Sequence, residues 1–540
     1  MAIVIVDGKE VEIAPGERIN GIQAAARVGV EIPHYCWHPG LSVVASCRMC
    51  LVETGTRNAE TGAVTMLPKL VPACQTPAAD NTVFVTDSEK VKQSRAMVEE
   101  DLLIDHPIDC PICDKAGECL LQDYHFKHGQ SQRRADIRPF TSRRRNMGDT
   151  VTLFVDRCVM CTRCVRFTRE ISGTSELLVI NRGSHEEIDV FPGFPLDNKL
   201  SGNVVDLCPV GALGDKDFLY QQRVWFMNSH PGICTGCSTG CSINVEENLD
   251  TVYRIKPRTN PHVNQWWMCD EGRYGFHHVH SDRRLTNVER REGASRTVLE
   301  WSQVLREIDE RLRPGTVGAA LSPHLTVEDA YLLAKYVRQI DPAAMVVLGV
   351  VPTEGQDETF KNGFTIRAEK CPNRRGVEEI VSHFMGRVAT IGDLAAAIES
   401  GEVRSAWISG GYKRDWIDGS FAERLAAAEC LIVQDLFPSP LLERATYALP
   451  GAAFAEREGS YVNFDDHLQS VQWAVRPPAG VRVEGGVYWE MLGMSGLVKP
   501  RRVLDEVAGL IPFFSRAIDP VGPLGVDLKA AAAAEHAATV

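Results

Sequence analysis

No apolar run in this 540-residue sequence approaches the ~18 residues that a membrane-crossing helix needs; the longest, Ala343 to Val351 (A-A-M-V-V-L-G-V-V), is strand-sized. Positive charge is in deficit. Lys and Arg number 58 against 71 Asp and Glu, a net charge of −13, which lends no support to nucleic-acid binding as the main task. The opening M-A-I-V-I-V-D-G-K lacks the basic, apolar and small-residue order of a secretory signal. A cytosolic origin is therefore expected, with any membrane association coming through partners. No G-x-G-x-x-G follows a strand-like run, so no dinucleotide site is expected. Cysteine, finally, is almost missing from the back half: of seventeen, only Cys371 and Cys430 lie beyond residue 270.

What is present is the reverse of that last absence. Fifteen cysteines crowd the front half in four groups. Cytosolic thiols are kept reduced, so such grouping points to metal rather than to disulfides. The chain is too long for one core and should divide into three or more domains. None of the cysteine segments could bury enough apolar surface to fold alone, so bound metal must supply folding free energy.

The first group is Cys36, Cys47, Cys50 and Cys74. Before it, I-V-I-V-D-G-K-E-V-E-I reads as a hairpin and I-N-G-I-Q-A-A-A-R-V-G-V as a helix. Hairpin, helix and cysteine loop follow the plant-type ferredoxin order for a [2Fe–2S] cluster, although ten residues rather than four separate the first two cysteines. His34 and His38 flank Cys36; four cysteines suffice without them, and they read as structural. The second group, in D-H-P-I-D-C-P-I-C-D-K-A-G-E-C-L-L-Q-D, is His106, Cys110, Cys113 and Cys119. One imidazole with three thiolates suits zinc or a [4Fe–4S] cluster. The spacing is not that of paired zinc knuckles, and the neighbouring groups favour the cluster. The third, C-V-M-C-T-R-C at Cys158, Cys161 and Cys164 with the remote Cys208-Pro209, has bacterial-ferredoxin spacing for one [4Fe–4S] cluster. The fourth, Cys234, Cys237, Cys241 and Cys269, is another four-thiolate set suited to a cubane, with zinc the less favoured alternative. One [2Fe–2S] and three [4Fe–4S] clusters in series, without an obvious substrate pocket, describe a wire.

Beyond residue 284 the pattern changes to strands alternating with helices. T-V-G-A-A-L-S-P (316–323), M-V-V-L-G-V-V, R-S-A-W-I-S-G-G and C-L-I-V-Q-D read as strands, and V-E-D-A-Y-L-L-A-K-Y-V-R-Q-I, D-L-A-A-A-I-E-S and F-A-E-R-L-A-A-A as helices. An open parallel sheet is expected. The glycine pair in W-I-S-G-G-Y reads as a turn rather than a phosphate cradle. The last fifteen residues read as a helical or frayed tail.

In the order of its cysteine groups, and above all in D-H-P-I-D-C-P-I-C-D-K-A-G-E-C-L-L-Q-D, C-V-M-C-T-R-C-V-R-F and D-L-C-P-V-G-A-L, the sequence resembles the NuoG family of NADH–quinone oxidoreductase. These are the large iron–sulfur subunits in the peripheral arm of respiratory complex I. The resemblance implies that His106 is a true ligand beside Cys110, Cys113 and Cys119. It implies a multidomain α+β and α/β chain: a ferredoxin-like β-grasp domain (1–80), a cluster domain with one histidine and three cysteines (81–121), a bacterial-ferredoxin-like domain (122–226) and a molybdopterin-oxidoreductase-type cluster domain (227–283). A trimmed, degenerate molybdopterin-oxidoreductase-like α/β domain without molybdopterin (284–540) completes it, carrying A-L-P-G-A-A-F-A-E-R-E-G-S-Y-V-N at 448–463. The implied activity is electron relay from an NADH/FMN flavoprotein toward quinone, coupled in the whole complex to ion translocation, with no bond-making site in this chain. A thioredoxin-like [2Fe–2S] subunit, a two-cluster ferredoxin-like subunit and quinone-site subunits are the implied partners. The implied location is the cytoplasmic face of the bacterial inner membrane. The alternatives are the iron–sulfur subunit of a formate dehydrogenase, which would need Cys371 as a metal ligand, and that of an NAD-linked hydrogenase or diaphorase. Cys371, in the polar A-E-K-C-P-N-R-R-G-V, reads as an unligated thiol. The arginines at 133, 134, 138 and 143–145 read as a solvated loop that could dock an acidic neighbour.

Overall fold

The computed structural model describes residues 2–132, 134–135, 140–183, 185–293, 295–313 and 315–529. The chain forms two compact units: one runs through Met227 and takes in Phe360–Gly363, the other holds the rest.

The first unit begins with the expected hairpin, Ala2–Val6 against Lys9–Ile13. Asp7 (φ 47°) and Gly8 (φ 80°) are both left-handed between these strands, the geometry a two-residue hairpin turn requires. The sheet runs, in order, through Lys9–Ile13, Ala2–Val6, Thr82–Val85, Leu51–Arg57 and Val64–Met66. Its alternating apolar face, including Val4, Val6, Val11, Ile13 and Phe84, buries the helix Gly21–Arg27. Asn20 and Gln23 close that helix's N-terminus with a reciprocal capping box. Gly21 lies so near the sheet that a Cβ there would be 2.9 Å from the Phe84 ring.

The helix Glu89–Ile104 packs on this domain. On its buried side Glu99 accepts a hydrogen bond from the Tyr35 hydroxyl, next to Cys36 in the chain, at 2.5 Å. Burial pushes the Glu99 carboxyl from 4.5 up to about 7. A carboxyl that holds its proton more tightly folded than unfolded contributes stability fully below about pH 4.5, and loses it as pH rises through about 7. Glu99→Gln should therefore gain on the wild type between pH 5 and pH 8, by at most about 3 kcal/mol. Parallel pH profiles of the two proteins in thermal unfolding would refute this. The unit is completed by a three-stranded sheet, Arg144–Asn146, Val151–Phe154 and Leu213–Asp215, and by the short helices Arg163–Phe167 and Asn203–Leu207.

The second unit opens with the antiparallel sheet Asn228–Ile233, Ser242–Asn248 and Thr251–Pro257. Its main sheet has seven strands. The five from Val317–Leu321, Met345–Leu348, Ser405–Ser409, Cys430–Asp435 and Tyr447–Pro450 are parallel. The expected strands and helices all form, but the sheet is mixed: the hairpin Val288–Glu292 and Ser295–Leu299 adds an antiparallel edge to Tyr447–Pro450. That hairpin is charged and mostly solvent-facing, so it carried no apolar pattern to read.

A buried ion network locks the helices of this unit, and the motif at 448–463 supplies it. Arg457 bonds both carboxylate oxygens of Glu484 at 2.8 Å and reaches Asp329 at 3.4 Å, with all three side chains 5% exposed or less. Arg284 and Glu456 form a second buried pair, and Glu328 accepts from the amide and hydroxyl of Ser460 at 2.7 and 2.9 Å. Of the last fifteen residues, Val526–Asp527 form a short strand against His467–Val471 rather than a tail, and 530–540 lie outside the described residues. No helix among the described residues is long and apolar enough to cross a membrane.

Candidate metal centres

Each of the four ligand groups inferred from spacing is gathered in space. In the first loop Ala45 (φ 52°) and Arg48 (φ 58°) are left-handed on either side of Cys47, which turns backbone amides inward. The Cys36 sulfur meets those of Cys47 and Cys74 and accepts from the amides of Cys47 and Ser46. Those thiol contacts hold Cys36 well below the usual thiol range. Cys74 also meets Cys50. His34 pairs through Nδ1 with the Ile32 carbonyl at 2.8 Å, and His38 accepts from the Gly40 amide at 3.1 Å. Each imidazole thus has one ring nitrogen committed to the local backbone.

His106, Cys110, Cys113 and Cys119 line one cavity of about 530 Å³. Burial, helped by the nearby Arg157 guanidinium, holds the His106 imidazole down at about 4. It is therefore neutral at pH 7, with a lone pair available to a metal. Burial pushes the Cys119 thiol up to about 11 against the pull of the Gln122 and Leu121 amides.

Cys158, Cys161, Cys164 and Cys208 line a small cavity of about 20 Å³. Met160 (φ 46°) and Thr162 (φ 56°) are left-handed between the first three, so the tight run turns its sulfurs to one side. Cys208 arrives at the end of Asn203–Leu207. Burial, then the neighbouring thiols, pushes Cys164 well up, and burial lifts Cys161 to about 11.

The fourth group belongs to the second unit. Cys234 donates its amide to the Cys241 carbonyl at 2.9 Å, closing the loop between two strands. The Gly236 amide reaches the Cys234 sulfur and the Gly272 amide the Cys269 sulfur, each at 3.4 Å. Burial and the surrounding thiols raise Cys241 and Cys269 well above the usual range.

Among the described residues no set of three or more His, Cys, Asp or Glu is gathered as the ligands of a single metal ion would be. The fit to iron–sulfur clusters rests on donor chemistry and shape. Buried thiols held together repel a second negative charge and ionise only opposite a strong cation. Amides aimed at sulfur suit thiolates. Glycine stands where sulfur must be approached: a Cβ on Gly211 would lie 2.1 Å from the Cys113 sulfur, and one on Gly272 2.7 Å from that of Cys234.

Within the first unit the third group adjoins both of the others, a proximity the sequence did not convey. On one side, Arg166 donates to the carbonyls of both Cys36 and Cys161. On the other, the Gly211 backbone abuts Cys113, and the Leu120 amide donates to the Pro209 carbonyl at 2.9 Å. Arg157, next to Cys158, bonds the Asp109 carboxylate at 2.9 and 3.1 Å and lies 4.0 Å from the Phe154 ring centroid. Arg223 donates to the carbonyls of Cys110, Pro111 and Cys113. Arg163 and Arg166 could have been noticed inside C-V-M-C-T-R-C-V-R-F; nothing in the sequence pointed to Arg223.

Other expectations fare differently. Cys371, within its polar segment, is fully buried beside the helix Arg374–Met385, and it belongs to none of the four groups. Each of the described arginines near residue 140 has a partner within the first unit, Arg134 and Arg143 while remaining exposed. Arg134 pairs with Glu100, Arg143 with Asp156 and Glu187, and Arg145 with Glu187 and Asp189, while Arg144 bonds the Thr152 hydroxyl. Arg133 and Arg138 lie outside the described residues. The pair Gly410-Gly411 is a packing turn: a Cβ on Gly410 would sit 2.3 Å from the Asp435 carboxyl carbon. The Gly411 amide donates to that carboxylate, which occupies the place a phosphate would need.

Comparison with known proteins agrees along the chain. Residues 3–89 match a 2Fe-2S iron-sulfur cluster binding domain. Residues 95–134 match the NADH-ubiquinone oxidoreductase-G iron-sulfur binding region, and 148–214 the ferredoxin-like domain of NADH-quinone oxidoreductase subunit 3. Residues 227–281 match the molybdopterin oxidoreductase Fe4S4 domain, and 386–491 molybdopterin oxidoreductase. The G subunit of NADH-quinone oxidoreductase from Rickettsia felis is 33% identical over 338 residues, 62% of this chain and 48% of that protein. The NADH-ubiquinone oxidoreductase 75 kDa subunit of Reclinomonas americana is 33% identical over 372 residues, 67% of this chain and 52% of that protein. A solved NAD+-reducing [NiFe]-hydrogenase chain aligns with 41% of this chain and 91% of its own length at 26% identity, with a TM-score of only 0.33. The chain spans about half the length of the curated relatives it matches. With 2Fe-2S and 4Fe-4S binding domains in this order, and with these relatives, the chain belongs to the NuoG (75 kDa) family of NADH-quinone oxidoreductase subunits.

Proposed function

We propose that this chain relays electrons inside an NADH:quinone oxidoreductase and carries out no bond-making chemistry itself. Its ligands are Cys36, Cys47, Cys50 and Cys74 for one [2Fe–2S] cluster. His106, Cys110, Cys113 and Cys119, then Cys158, Cys161, Cys164 and Cys208, and finally Cys234, Cys237, Cys241 and Cys269 hold three [4Fe–4S] clusters. The domain division is that expected from the sequence, 1–80, 81–121, 122–226, 227–283 and 284–540, the last without molybdopterin. The observation that supports the reading is the gathering of three donor sets in one unit, with the third group adjoining both the first and the second.

Bound clusters would each take up and release one electron at a time. The protein's part is to fix their separation, exclude water and set their potentials through ligand type and hydrogen bonds to sulfur. Amides on Cys36, Cys234 and Cys269 are such bonds. The relay runs from the first group through the third to the second, with the fourth off this path. The electrons come from a neighbouring NADH/FMN flavoprotein, flanked by a thioredoxin-like [2Fe–2S] subunit. They leave to a two-cluster ferredoxin-like subunit and the quinone-site subunits, on the cytoplasmic face of a bacterial inner membrane.

Metal analysis tests this directly. Reconstituted without oxygen, the full chain should bind about 14 irons, for one two-iron and three four-iron clusters. It should hold only traces of zinc, molybdenum and tungsten. Stoichiometric zinc would falsify the all-cluster reading.

A further inference from the structure

The motif C-V-M-C-T-R-C-V-R-F contains two arginines that cluster ligation does not use. Both start from the five-residue helix Arg163–Phe167, and both are buried, at 7% and 5% exposure. Arg163 donates to the Trp37 carbonyl at 2.6 Å and to the Leu207 carbonyl at 3.2 Å. One acceptor therefore neighbours Cys36 in the chain and the other neighbours Cys208. Arg166 donates to the carbonyls of Ser42 at 2.6 Å, Cys36 at 2.5 Å and Cys161 at 3.1 Å. Two guanidinium groups thus span the junction between the first and third cysteine groups.

All five of these acceptors are backbone carbonyls, and among the described residues neither arginine forms an ion pair with a carboxylate. The nearby Glu170 is bonded to the amide and hydroxyl of Ser42. The Nε atoms of Arg163 and Arg166 are buried without a hydrogen-bond partner. Three other deeply buried arginines face an acid: Arg157 has Asp109, Arg284 has Glu456 and Arg457 has Glu484, whereas Arg95, near Cys50, shows no such pair among the described residues. Burying charge is costly, and with Glu170 near Arg166 but in ion-pair contact with neither guanidinium, two such charges side by side call for a further counter-charge. Thiolate-ligated clusters, whose net charge helps to set their potentials, would supply it on either side.

Resting on the cluster reading above, we propose that Arg163 and Arg166 are a shared positioning pair. They fix the first and third clusters against each other, and their charge makes it easier to place an electron on either one. The junction between the third and second groups differs, because Asp109 neutralises Arg157 there. This pair's assistance therefore acts on the first and third clusters, while Arg223 stands separately at the carbonyls of the second group.

The test is an EPR-monitored redox titration, with iron analysis, of the reconstituted full chain and four variants: Arg163→Met, Arg166→Met, Arg163→Lys and Arg166→Lys. In each methionine variant the midpoint potentials of the first and third clusters should both fall, while those of the second and fourth stay put. The lysine variants keep the charge and lose the planar fork. They should hold both potentials near wild type. Loss of the first and third clusters together, with the others retained, also supports the pair's role. Unmoved potentials in the methionine variants, a shift of one cluster alone, an equal fall in the lysine variants, or loss of all four clusters overturns it. A wild-type chain without iron at these two groups removes the underlying reading as well, which separates the two failures.

Discussion

His106→Ala should cost the chain one four-iron cluster and leave the other three. Only Cys110, Cys113 and Cys119 would remain around that cavity, and each other group draws its ligands from a separate set of residues. The loss should be nearly complete, because burial already disfavours free thiolates at Cys113 and Cys119. His106→Cys makes the sharper case. It should keep a cubane but lower its potential, since an anionic thiolate replaces a neutral imidazole and favours the oxidised form; histidine ligands raise the potential of Rieske centres by the same logic. Electron transfer through the assembled complex should fall with the alanine variant. An unaltered four-iron EPR signal and potential in His106→Ala would show that the imidazole is no ligand.

The second large effect lies in the other unit and concerns folding rather than redox. Arg457→Met leaves Glu484 and Asp329 buried without their counter-charge. Breaking a buried pair from one side costs about 3–5 kcal/mol. Burial already pushes the Asp329 carboxyl up to about 7, with Arg457 acting against that rise. Removing Arg457 should shift the balance further toward the protonated acid, so the variant should lose most stability at high pH. Glu484→Leu added to Arg457→Met should recover part of the loss, because an apolar pair of similar volume avoids the stranded charge. Chemical denaturation followed by Trp407 fluorescence reads the result, as that side chain is fully buried in this unit's core. A loss below about 1 kcal/mol would mean that the network is decorative.

Much of this was legible beforehand because ligand spacing and strand alternation are local. Cys158, Cys161 and Cys164 lie within one short run of chain, and the runs around Val317–Leu321 and Cys430–Asp435 are continuously buried, as central parallel strands must be. What escaped was non-local. Arg166 meets the Cys36 carbonyl across 130 positions, and Gly211 meets Cys113 from a distant part of the chain; no window of sequence joins them. The burial of Cys371 escaped for a related reason. Its neighbours in the chain are polar, but Arg374 bonds one carboxylate oxygen of Glu369 and Asn373 turns inward to the Leu325 carbonyl. The hairpin Val288–Glu292 and Ser295–Leu299 escaped because an edge strand need not be apolar.

The way the third group adjoins the other two in the first unit also bears on how such a chain is made. Synthesis runs from the N-terminus, so the proposed ligands from Cys36 to Cys74 and from His106 to Cys119 leave the ribosome before Cys158 does. Cys208, which closes the third group, comes last. Under that assignment the first and second donor sets are complete while the third, which adjoins both, still lacks a ligand. Pro209 and Gly211, which seat the second group against the third, emerge directly after that final cysteine. Under the proposed assignment, closing the third site and joining it to the second thus fall within a few residues of translation, when the first unit is almost fully synthesised.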